Sequence, residues 1–165
     1  MASPVPRMDP LESRAWLALI GTAELLPAAL DAQLQADSGI THFEFMTLSA
    51  LTRSAGKRMR LTDLAVATNA TLPRMSKVAG RLEARGLIER APAVDDGRAV
   101  DLRLTAEGRR VLVRATPGHI ALVRRLVIDR LTPEQLAALA DALEPVVTAL
   151  DPQQRMQLVH AREEE

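Results

Sequence analysis

Four cations recur between Leu72 and Arg85 at steps of three and four residues: Arg74, Lys77, Arg81 and Arg85. At helical spacing they share one face, while Leu72, Met75, Ala79 and Leu82 share another, so the stretch reads as an amphipathic helix with a basic stripe. Guanidinium and ammonium groups in a row can meet a row of phosphates, and an arginine can make paired hydrogen bonds to a guanine edge. The chemistry on offer is recognition of a nucleic acid, although the pattern alone leaves open a face that merely meets water. The chain is neutral overall, with 21 Lys/Arg against 21 Asp/Glu. Its distribution is not: Arg53 to Arg110 holds 13 cations against 7 anions and the remainder 8 against 14. Screening limits charge effects to about 8 Å at physiological salt, so the local excess matters more than the zero total.

The elements that must position this stripe are legible on either side. Leu61 to Asn69 reads as a short helix capped by Thr62, Asn69-Ala70-Thr71 as a tight turn, and Thr71 as the cap of the basic helix, which together make a helix-turn-helix. Gly86 ends the basic helix, and Leu87 to Ala91 reads as a strand. After a Pro/Asp/Gly turn from Pro92 to Arg98, Ala99 to Leu104 alternates Val100, Leu102 and Leu104 inward with Asp101 and Arg103 outward. A helix-turn-helix followed by a hairpin is a winged helix. An arginine at the hairpin tip, here Arg98, can enter a narrow minor groove; alternatively it only pairs with Asp95 or Asp96 inside the wing.

Long helices flank this unit. Asp9-Pro10-Leu11-Glu12, Thr41-His42-Phe43-Glu44 and Thr132-Pro133-Glu134-Gln135 are three capping boxes, each opening a helix. The first helix runs to about Gln35, the second to about Ser54, and another from Thr105 nearly to Arg130. Pro27, Pro117-Gly118 and Pro145 should bend or interrupt the long ones. Gly56 to Arg60 is a basic connector that includes one short strand pairing with the wing. The fold class expected is therefore mainly α with a small β-hairpin wing: a dimerisation helix over 1–37, a winged helix-turn-helix over 38–104 and dimerisation helices over 105–165. The apolar stripes of the flanks are too broad for one chain to satisfy, so a homodimer is expected, presenting two recognition helices to one duplex.

Other functions find little footing. There is no cysteine, which removes disulfides and thiol chemistry. His42, His119 and His160 form no ligand-spaced pair, and no phosphate loop, nucleophile elbow or metalloprotease motif occurs. No enzyme, cofactor or metal site is expected. No window approaches the roughly 18 apolar residues of a membrane span, so a soluble cytoplasmic protein without a membrane partner is expected.

Asp96-Gly97-Arg98, followed after five residues by Leu104-Thr105, resembles the wing signature of the multiple-antibiotic-resistance regulator (MarR) family of bacterial transcription factors. The run Arg81 to Arg90 and the stretch Leu61-Thr62-Asp63-Leu64-Ala65 are similar to its neighbouring segments. The resemblance implies a homodimeric winged-helix regulator, usually a repressor, that binds a pseudo-palindromic operator in double-stranded DNA and leaves it when a small phenolic or other aromatic ligand binds. It implies that Thr71, Arg74, Ser76, Lys77 and Arg81 face the major groove, that Arg98 is the wing arginine, and that Asp96 orients it. The family commonly carries a small polar residue where this chain has Pro73. An effector pocket is expected where the long helices meet the reading domain, with Trp16, His42 and Phe45 as candidate walls. Two other readings stand beside this one: a zinc-responsive regulator of the same fold, and a winged-helix module that binds protein instead of DNA.

Overall fold

The computed structural model describes residues 7–92 and 100–156. In chain order it has α1 (Pro10–Ser38), α2 (His42–Arg53), β1 (Arg58–Arg60), α3 (Leu61–Ala67), α4 (Leu72–Ala84), β2 (Ile88–Pro92), β3 (Val100–Leu104), α5 (Ala106–Leu126) and α6 (Pro133–Leu150). All three capping boxes form: the side chains of Asp9, Thr41 and Thr132 each accept from the backbone amide of the third residue of the helix, and their own backbone amides donate to that residue's side chain in return. The strands make one antiparallel sheet in the order β1-β3-β2, so the connector strand does pair with the wing, Met59 standing opposite Leu102. The fold is the expected winged helix: mainly α with a small sheet.

The core lies under the helix-turn-helix. Leu48 and Leu51 of α2, Leu64 of α3, Met75, Ala79 and Leu82 of α4 and Leu102 of β3 are completely or almost completely buried there, with Leu34 of α1 and Ala115 of α5 closing one end. Burying one such side chain contributes about 1.5–3 kcal/mol. Val78 belongs to the buried face of α4, whereas Leu72, expected there, is exposed. It occupies the first position of the helix.

Several expectations need correction. None of the prolines Pro27, Pro117 and Pro145 interrupts its helix: α1, α5 and α6 run unbroken through them. Each proline is on an exposed face, as is the residue four before it (Ala23, Val113, Asp141), so water can satisfy the carbonyl that loses its partner. Thr62 does not cap α3. That position belongs to Arg60, leaving strand β1 directly into the helix, and the Thr62 hydroxyl turns to the Asp63 carboxylate. Asp101 is buried, not outward, because β3 is the central strand and the side chain is flanked by β1 and β2, with Arg60 opposite in register. Against the expectation that no stretch reaches membrane length, α1 is long and apolar enough to cross a membrane by length and composition. Glu12, Arg14, Glu24, Asp31 and Asp37 punctuate it, and Leu30 and Leu34 enter the core.

Candidate nucleic-acid interface

The turn between α3 and α4 is built from local chemistry. Asn69 takes a left-handed conformation, φ 50°, which asparagine tolerates, and the Ala70 amide donates to the Ala65 carbonyl at 2.8 Å. Thr71 then caps α4, its hydroxyl accepting from the Arg74 amide at 3.4 Å. With Met75, Val78, Ala79 and Leu82 turned into the core, Thr71, Arg74, Ser76, Lys77 and Arg81 all lie on the exposed face. Five of the seven expected DNA-facing residues are therefore brought onto one surface. The other two, Asp96 and Arg98, lie outside the described residues.

That surface is not a row of free cations. The Arg74 guanidinium sits 4.1 Å from the centre of the Phe43 ring, a cation–π contact with the first turn of α2. Arg81 Nε is 3.3 Å from Glu44 Oε1, and Arg85 Nη1 is 3.5 Å from Glu44 Oε2. A groove of about 470 Å³ runs between Asp31, Thr41 and Phe43 on one side and Arg74, Lys77 and Arg81 on the other. Lys77 takes part in none of these pairings. Sequence reasoning assigns Glu44 to the cap of α2, which it does serve, but misses its second role and that of Phe43.

Behind the interface, the exit of α4 is stitched to the entry of α5. Gly86 turns with φ 67°. The Thr105 hydroxyl lies 2.7 Å from the Gly86 carbonyl and 3.0 Å from that of Leu87, and it accepts from the Gly108 amide at 3.0 Å. The Thr105 amide donates to the Leu87 carbonyl at 3.2 Å. This gives a physical reason for the Leu-Thr that ends the wing signature: the leucine is core and the threonine ties the recognition helix to the long helix. At the sheet, Arg103 pairs with Glu89 at 3.4 Å and Arg90 with Glu83 at 2.9 Å, exposed pairs that add little stability.

The expected effector walls separate. His42 and Phe45 do share a seat, and both meet His119 of α5, with ring centroids 5.9 Å and 4.5 Å apart. Two histidines far apart in sequence are thus adjacent in space. Trp16 is not with them. The His42 amide donates to Asp31 of α1, and Trp16 is fifteen residues up that helix, roughly 22 Å at 1.5 Å per residue, and about half exposed. On α1, the Gln33 side chain donates through Nε2 to Asp37 at 2.8 Å, while Gln33 Oε1 and His119 Nδ1 are buried without a hydrogen-bond partner among the described residues. Among those residues no group of three or more His, Cys, Asp or Glu is placed to hold a metal ion.

Burial pushes both imidazoles below the ordinary histidine value; His42 adds to the effect at His119, while Asp31 opposes it at His42. A histidine so depressed takes up its proton more readily in the unfolded chain. Its contribution to stability is then complete above the ordinary value of 6.5 and is lost as pH falls from there through the folded value. The melting temperature is expected to fall between about pH 7.5 and pH 5.5, and to fall less in His119→Gln. Identical pH profiles for the two proteins would refute this.

A family model described as the MarR family matches residues 38–99. Among solved structures, Sco3205, a MarR family transcriptional regulator from Streptomyces coelicolor determined in complex with DNA, is 37% identical, with 90% of this chain and 93% of that one covered and a TM-score of 0.83. AbsC, a MarR family transcriptional regulator from the same organism, is 34% identical, with 88% and 98% covered and a TM-score of 0.82. MarR from E. coli, at 20% identity, 86% and 98% coverage and a TM-score of 0.66, shares the fold. No curated protein matches the chain in sequence.

Proposed function

Since the chain belongs to the MarR family of transcriptional regulators, whose winged helix binds DNA, we propose that it acts in the cytoplasm as a homodimeric repressor of a pseudo-palindromic operator, released by a small aromatic ligand. The observation that carries the DNA-binding half is α4: one face puts Met75, Val78, Ala79 and Leu82 into the core, and the other holds Arg74, Lys77 and Arg81 exposed. Such a helix can enter a major groove without unfolding anything behind it. Arg98 and Asp96 would extend the contact into the adjacent minor groove, as the wing signature implies.

Dimerisation is supported by surface that one chain leaves uncovered. Leu11, Trp16, Leu17, Leu19 and Leu25 of α1 and Leu139, Val146 and Leu150 of α6 are exposed, and α6 buries none of its residues. Soluble monomers rarely leave apolar surface of that extent in water. Residues 1–37 and 105–165 would form the symmetric frame and 38–104 the reading heads. Release is supported by the seat between α2 and α5, where the Phe45 ring lies against His119 and the His119 Nδ1 is buried without a hydrogen-bond partner among the described residues. An aromatic molecule bearing a hydroxyl could stack there and satisfy that nitrogen. By linkage, a ligand that prefers wrongly spaced recognition helices weakens DNA binding by the same factor, typically ~5- to 150-fold.

Selection of bound duplexes from a random-sequence pool by the purified protein tests the reading. It should return an inverted repeat with half-sites about 10 base pairs apart, centre to centre, or a multiple of that. Recovery of no duplex at low salt, or of a site without symmetry, defeats it.

A further inference from the structure

We infer that Glu44 is a positioning residue for sequence discrimination: it holds Arg81 by its inner nitrogen so that the outer edge of the guanidinium is presented to a base. The inference rests on the DNA-binding reading of α4. Its starting point is a carboxylate where a carboxylate is not required. Glu44 lies in the first turn of α2, its side chain 5% exposed, and completes the capping box by accepting from the Thr41 amide at 3.0 Å. Glutamine serves that position as well as glutamate does, and α6 of this same protein uses Gln135 there. A buried negative charge is costly to desolvate. Of the cations that offset it, Arg81 belongs to α4 and Arg85 is the residue that caps its C-terminus.

The geometry divides the work on Arg81. Its contact with Glu44 is through Nε, while the side chain as a whole remains 57% exposed. The two terminal amino groups are the pair that makes a bidentate contact with guanine or phosphate. An arginine restrained at Nε loses less freedom on binding than one that swings freely. Arg85, touching the same carboxylate through Nη1 and less exposed, braces it from the next turn.

The charge has a second effect, opposite in sign. A carboxylate beside a phosphate-facing helix opposes binding to any duplex, matched or not. Removing it should therefore strengthen nonspecific binding while weakening specific binding, a pair of signs that neither a structural role nor a simple charge effect produces.

The test compares wild type with Glu44→Gln, Arg81→Lys and their combination on two probes: the tightest duplex recovered from a random-sequence pool by the wild-type protein, and poly(dI-dC). Glu44→Gln is expected to lose about 10-fold on the selected duplex, within the ~5- to 150-fold that a bidentate base contact is worth. On poly(dI-dC) it should bind as well or better. Arg81→Lys should lose a similar factor, and the combination should lose no more than Arg81→Lys alone, since both act on one contact. Equal or tighter binding of Glu44→Gln to the selected duplex overturns the inference, as do additive losses. Should Glu44→Gln fail to fold, Glu44→Asp, which keeps the charge but withdraws it by one methylene, takes its place with the same expected loss on the selected duplex and the same overturning result. Wild-type protein that binds neither probe at low salt would defeat the DNA-binding reading itself, a different outcome.

Discussion

Gly108→Ala is expected to destabilise the protein by about 3 kcal/mol, the upper part of what overpacking a tight site costs, and to lower its melting temperature by roughly 10 °C. A Cβ at this position would lie 2.0 Å from the Leu87 carbonyl oxygen and 2.8 Å from Leu104 Cδ1. The first neighbour is backbone, and it is held by the Thr105 amide and hydroxyl. Relief therefore requires α5 to lift away from the end of α4, which would also misplace the interface. Gly80→Ala, on the exposed face of α4 with nothing within 4 Å of the added atom, is the control and should stabilise by up to about 1 kcal/mol. Thermal unfolding decides between them; equal melting temperatures for Gly108→Ala and wild type would mean the close approach is not there.

Joint replacement of Arg74 and Lys77 by alanine should weaken binding to the selected duplex about 100-fold or more and make log K less steep against log salt by roughly 3.6, the value for four phosphates, two under each protomer of the proposed dimer, no longer neutralised. Folding should hardly notice. Both side chains are on the exposed face, and the double substitution removes the cation–π pair of Arg74 with Phe43, worth about 0.5–1 kcal/mol at such a site. Salt titration of binding, with a melting curve beside it, separates the two effects. An unaltered slope would place the phosphate contacts elsewhere on the chain.

What can be read from the sequence is what is local. Capping boxes span four residues, so Asp9–Glu12, Thr41–Glu44 and Thr132–Gln135 announce their helices without reference to anything else. The periodicity of α4 and the turn at Asn69 are equally self-contained. The errors share one cause, dependence on distant parts of the chain. Whether Pro27, Pro117 or Pro145 breaks its helix depends on which way the freed carbonyl faces, and that is set by packing. The alternation along β3 marks faces correctly but cannot say that the strand is central, so Asp101 reads as facing water. Glu44 meets Arg81 across 37 residues and Arg85 across 41. His42 and His119 come together only once α2 is laid against α5. The site is legible as a set of exposed cations and illegible as an arrangement.

The stitch between Thr105 and the Gly86-Leu87 carbonyls has a mechanical consequence. It makes α5 a lever whose short end is fixed to the recognition helix. At 21 residues α5 is roughly 31 Å long, so a pivot of about 5° displaces one end relative to the other by roughly 2.7 Å, close to a hydrogen-bond length. Substitutions along the distal half of α5, far from any phosphate, should then change which operator spacing is preferred while leaving each reading head as competent as before.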